Sequence, residues 1–149
     1  MALSSGSTST TAPSSGDAVR VELPANEGYV HLLRLSAAAL AARLEFSVEA
    51  IDDLRLAVTE TAAMLLPCSV PGAQLNTEFI VGTQGMAVSM DTLAFEGAGL
   101  PDREAFAWLL LTTLTDHAEA SLEGGTMRVE LRVRQTAPRD VADQGTPHA

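Results

Sequence analysis

The sequence predicts an α+β fold, a two-layer sandwich with three main helices on one face of a mostly antiparallel sheet. Two long stretches place apolar residues at three- and four-residue steps, which is the signature of amphipathic helices. Short runs at residues 19–23, 75–81, 86–90 and 127–133 alternate or concentrate apolar residues as strands do. The order is strand, helix, helix, hairpin, helix, strand. It lacks the regular strand–helix alternation of a parallel sheet, so the helices share one layer over antiparallel strands.

Residues 1–17 are almost all Ser, Thr, Gly, Ala and Pro. That composition cannot bury a core, and a disordered tail is expected. Val19 to Leu23 (VRVEL) alternates apolar and charged residues and reads as an edge strand ending at Pro24. Asn26 is placed to cap a helix whose apolar stripe is Val30, Leu33, Ala37, Leu40, Ala41 and Leu44. His31 and Arg34 lie away from the centre of that stripe.

The chain is organised around Glu49 to Leu66, EAIDDLRLAVTETAAMLL. Ile51, Leu54, Val58, Thr61 and Leu65 form its buried face. Ser47 caps its start, the acids Glu49, Asp52 and Asp53 suit the positive end of the helix dipole, and Pro67 ends it. Glu60 and Met64 stack one turn apart on another face.

Val70-Pro71-Gly72 is a turn signal, followed by a hairpin of Leu75–Val81 and Met86–Met90 around residues 82–85. Residues 92–101 read as a loop. A third helix is expected from Arg103 to His117, with Phe106, Leu109, Leu110, Thr113, Leu114 and His117 as its stripe. Gly124-Gly125 marks a turn before the last strand, Met127 to Val133. Residues 136–149 read as a loose tail, leaving 18–135 as the single domain.

The 149 residues carry a net charge of −10. Phosphate contacts need basic patches, so direct nucleic-acid binding is not expected, and a basic protein partner suits the charge better. No apolar run reaches the ~20 residues needed to span a bilayer, and no membrane role is expected. The single cysteine, Cys68, cannot form an intramolecular disulfide, which points to a cytoplasmic setting.

Val21 to Ala62 runs VELPANEGYVHLLRLSAAALAARLEFSVEAIDDLRLAVTETA. An LPA start, a YV..LR helix and D.LRLAV.E together resemble the N-terminal half of the RsbW/SpoIIAB-type anti-sigma factors of the GHKL ATPase superfamily. The resemblance implies a Bergerat-type sandwich. It also implies a bacterial transcription regulator of stress-response type that binds an alternative sigma factor. Such a protein acts as a homodimer and phosphorylates a STAS-type anti-anti-sigma antagonist on serine with MgATP. Arg34 matches the family arginine that contacts the sigma factor, with His31 beside it.

Carried residue by residue, the family's ATP site is kept only in part. Glu60 matches the glutamate of its Glu-x-x-x-Asn motif, but Met64 stands where the asparagine would hold Mg²⁺. A thioether is a poor ligand for a hard cation. Asp91 matches the adenine-reading aspartate, with Leu93 in place of the glycine that follows. Gly125 and Thr126 keep the Gly-Thr pair. The lid is short, Ala105 and Ala107 stand where its glycines belong, and no Lys or Arg lies in the loop to meet phosphates. The expectation is a non-enzymatic anti-sigma factor without cofactor or metal, holding vestigial Glu60, Asp91, Gly125 and Thr126. It would sequester its sigma factor until the antagonist releases it. Two alternatives stand beside this: the serine kinase with ATP and Mg²⁺, and a sensor of another small ligand in the old pocket.

Overall fold

The computed structural model describes residues 16–135. The expected tails, 1–17 and 136–149, fall outside them except for Gly16 and Asp17. Strand β1 (Asp17–Pro24) begins at Asp17, which pairs with Val81. Asn26 accepts a hydrogen bond from the Gly28 amide and caps a short 3₁₀ turn, Glu27–Tyr29, that leads into α1 (Val30–Arg43). Helix α2 (Val48–Leu65) follows, and Ser47 Oγ accepts from the Ala50 amide at 3.1 Å, satisfying one of the free donors at its start. Strands β2 (Gln74–Val81) and β3 (Gly85–Leu93) form the expected hairpin.

The third helix, α3 (Phe106–Leu114), is shorter than its sequence suggests. Its buried residues are Trp108 and Leu111, whereas Phe106 and Leu109, expected in the buried stripe, are 79% and 51% exposed. FAWLLL is apolar on every side, so periodicity gives no phase there. His117 does not end this helix; it begins β4 (His117–Glu123), a strand absent from the sequence reading. Strand β5 (Thr126–Arg134) pairs with β4 around Gly124-Gly125, whose φ values of 58° and 82° suit a tight hairpin turn.

All strand pairs are antiparallel, in the order β1-β2-β3-β5-β4. The pleat sorts side chains cleanly. Val21, Thr77, Met90, Val129 and Ala120 lie in one row across the sheet on the helix side. Glu22, Asn76, Asp91, Arg128 and Ser121 form the neighbouring row on the other side. Leu33, Leu54, Leu65, Phe79, Met90, Leu111 and Leu131 are fully buried between the layers. The α1–α2 and α2–α3 packings place α2 at the centre of the helix layer.

Candidate functional site

The first candidate surface is the outer side of α1. Leu33 and Ala37 are buried, which turns His31, Leu32 and Leu35 to solvent. Arg34 sits half-buried at the edge of this face. Its Nη2 lies 3.5 Å from His31 Nδ1, at the outer limit of a hydrogen bond. Its Nε is enclosed and has no partner. A guanidinium that can make five hydrogen bonds is therefore largely unspent. Tyr29, Leu32 and Leu35 supply apolar area on the same helix. The structure thus brings the two expected sigma-binding residues into contact.

The second candidate is a cavity of about 240 Å³ where the end of α2 meets α3, β5 and the loop before α3. Met64 and Cys68 form one side, Trp108 and Ala107 another. Met127, at the start of β5, and the loop residues Pro101, Asp102 and Ala105 complete it. Ala105 and Ala107, read as replacing lid glycines, do lie on this cavity. Glu60 is half-buried one turn before Met64, outside the lining. Gly125 and Thr126 form the end of the β4–β5 turn, where the Gly125 carbonyl accepts from the Ala94 amide at 2.8 Å. They adjoin Met127 but do not line the cavity.

Asp91 is placed differently from its sequence assignment. It projects from the opposite face of the sheet, where it accepts from Asn76 Nδ2 at 3.1 Å and pairs with Arg128 at 3.3 Å. Strand parity is the reason: Met86, Val88, Met90 and Thr92 face the helices, so position 91 faces away. Thr92 is the residue of that pair on the helix side, and its hydroxyl donates to the Gln74 carbonyl at 3.0 Å. The concave face around Asp91, also lined by Arg20, Glu78 and Arg132, is a solvated sheet surface of alternating charges.

Sequence reasoning missed two groups. With α3 starting at Phe106, Arg103 belongs to the loop after all. Its guanidinium lies 5.9 Å from the centroid of Trp108, within reach of a cation–π contact. Asp102 lines the cavity beside it, its Oδ1 accepting from the Glu104 amide at 2.9 Å. A cation and a carboxylate therefore stand at the place where no phosphate-binding charge was expected. The signal was present as Asp-Arg before the apolar run, but the helix start was set three residues early.

The chain is thus an α+β sandwich with its helices on one side, a cavity at the end of its central helix and an arginine at the edge of the exposed face of its first helix. No family model matches the chain. It is similar to serine-protein kinase RsbW of Listeria monocytogenes serotype 4a, 50% identical over 68 residues, 44% of this chain. RsbW of Listeria innocua is 50% identical over 44 residues, 30% of this chain and 28% of that protein. The chain spans 43% of the length of the longer-matching relatives. Its fold matches a crystal structure of the RsbU and RsbW domains of a Mycobacterium tuberculosis protein, with a TM-score of 0.65 at 14% identity. That match covers 82% of this chain and 33% of the other. The resemblance to the RsbW type and the expected α+β fold are both borne out. The expectation of a chain without enzymatic activity is corrected, because the relatives at 50% identity are named serine-protein kinases. Among the described residues no helix is long and apolar enough to cross a membrane.

Proposed function

We propose that the chain is an RsbW-type switch that binds a sigma factor through α1 and acts as a protein-serine kinase on a STAS-type antagonist. It would work in the cytoplasm as a homodimer and make no direct contact with nucleic acid. The observation that carries the binding half is the guanidinium of Arg34, held only by a 3.5 Å contact to His31 at the edge of an apolar, exposed helix face. A carboxylate from the partner could approach the terminal Nη atoms and make a charge-assisted pair, displacing the weak Nη2 contact to His31. Leu32 and Leu35 would exclude water around it.

The kinase half rests on the relatives' activity and on the cavity. ATP is the phosphoryl donor such a reaction needs, and Mg²⁺ neutralises its phosphates. The donor set fits this group at one carboxylate and one guanidinium. Magnesium commonly takes one or two carboxylates together with phosphate oxygens and water. Asp102 would supply that oxygen in place of Met64, and Arg103 would meet phosphate charge. Trp108 and Pro101 present apolar surface for a base. By its match to the family glutamate, Glu60 would activate or orient the acceptor from just outside the cavity lining; Asp91, on the far face, takes no part. At about 240 Å³ the cavity is below the usual size for a ligand site, so loop 94–105 must move outward to admit a nucleotide.

The test combines a sigma-factor pull-down with a phosphotransfer assay on a STAS-domain protein. Arg34→Glu is expected to abolish capture and leave the fold intact. Full retention by that variant would remove Arg34 from the interface. Serine phosphorylation that is lost in Asp102→Asn and Glu60→Gln supports the kinase assignment. No transfer from MgATP by the wild-type chain would refute it.

A further inference from the structure

The cavity at the end of α2 gathers sulfur. Met64 on α2, Cys68 in the 3₁₀ turn Leu66–Cys68 that follows it, and Met127 on β5 all line it. The chain holds one cysteine and five methionines, so half of its sulfur-bearing residues line one small cavity. Met86 and Met90, by contrast, are buried in the sheet core.

We propose that this cavity binds a soft monovalent metal ion of the Cu(I)/Ag(I) class through Cys68, Met64 and Met127. Thiolate and thioether donors select such ions over hard cations and over Zn²⁺, which favours imidazole or several thiolates. Cys68 is half-buried, and its Sγ makes one long contact, 3.5 Å to the Met64 carbonyl, so its lone pairs are otherwise unspent. Met64 and Cys68 are four residues apart on consecutive helical turns and therefore share one side. Methionine has three rotatable bonds, which lets Met64 and Met127 adjust their sulfurs around an ion. Trp108 borders the same space, which places a fluorescent reporter beside the site. Binding forms a Cys68 S–metal bond, and the thiol proton leaves to solvent. No electron changes hands in this step. The inference stands on the cavity alone and does not depend on nucleotide binding; an ion held there would compete with any nucleotide for the space.

The test is an anaerobic titration of the full chain with Ag(I), read by the fluorescence of Trp108, the single tryptophan. Cu(I) affinity is then measured by competition with bicinchoninate. The expected result is saturation at one ion per chain, abolished by Cys68→Ala. Met64→Leu and Met127→Leu should each weaken binding by about tenfold or more. Met86→Leu, a methionine away from the cavity, should bind as wild type. Leu-for-Met swaps conserve volume, and Met64 is only half-buried, so at least that variant keeps the fold. Binding unchanged in both Met64→Leu and Met127→Leu would reduce the site to a bare thiol adduct and overturn the proposal. Equal competition by Mg²⁺ or Zn²⁺ would overturn it too.

Discussion

If Arg34 is held for a partner, removing it should stabilise the isolated protein. The perturbation is Arg34→Met, which keeps a stem of similar length over α1 and deletes the guanidinium. Its Nε is enclosed without a partner, and an unsatisfied buried donor costs about 1–3 kcal/mol. Against this stands the 3.5 Å contact to His31, which is too long to contribute more than a few tenths of a kcal/mol. Deleting a positive charge also takes the net charge from −10 toward −11, a small penalty that salt screens. The balance favours the variant by about 1 kcal/mol, or roughly 3–5 °C in Tm for a domain of this size. Thermal unfolding followed by circular dichroism at 0.15 M salt measures the shift, and the same variant is then tested for sigma-factor capture. The account expects a higher Tm together with lost capture. A variant destabilised by 1 kcal/mol or more would mean that the guanidinium supports the fold, and the reasoning from its unspent hydrogen bonds would fail.

Other expectations follow from local geometry. Glu45 holds a left-handed φ of 57° between α1 and α2, so Glu45→Gly should add about 0.5–1 kcal/mol in chemical denaturation. Ser47→Ala removes the α2 cap and should cost about 1 kcal/mol by the same measurement. Gly85→Ala would set a Cβ 2.5 Å from the Val133 carbonyl oxygen, so β3 and β5 must part; a loss of about 1–3 kcal/mol is expected, seen as a lower denaturation midpoint.

Much of this architecture was legible because α1, α2 and the β2–β3 hairpin carry unambiguous periods and caps. Ser47, Asn26, Pro67 and the residue 82–85 turn each mark a boundary by a definite mechanism. The failures have equally definite causes. β4 was missed although Ala118, Ala120 and Leu122 alternate ahead of Gly124-Gly125, because the apolar run before it drew residues up to 117 into the helix. Leu111 and Trp108, rather than Phe106 and Leu109, face the core, since no polar residue phases the first two turns of α3. The same misplaced helix start hid Arg103 and Asp102 from the candidate site. Asp91 shows the sharper limit of a motif read by spacing: a shift of one residue in a strand sends the side chain to the other face of the sheet.

The α1 face was legible in part: Leu33 and Ala37 turn His31 to solvent, whereas Arg34, next to the buried stripe, sits half-buried with its Nε enclosed, which periodicity did not foretell. The 240 Å³ cavity was legible only at Met64, Ala105 and Ala107, through the family resemblance; its other walls come from β5 and a loop that are distant along the chain.

The kinase assignment is tested most directly by a thermal-shift titration of the full chain with MgATP and ADP, with Trp108 fluorescence read alongside. A nucleotide at 100 times its Kd stabilises the folded state by about 2.7 kcal/mol, which raises Tm by several degrees at this size. The account predicts that rise with MgATP, reduced in Asp102→Asn and Arg103→Ala. An unchanged Tm and unchanged fluorescence at millimolar MgATP would contradict it.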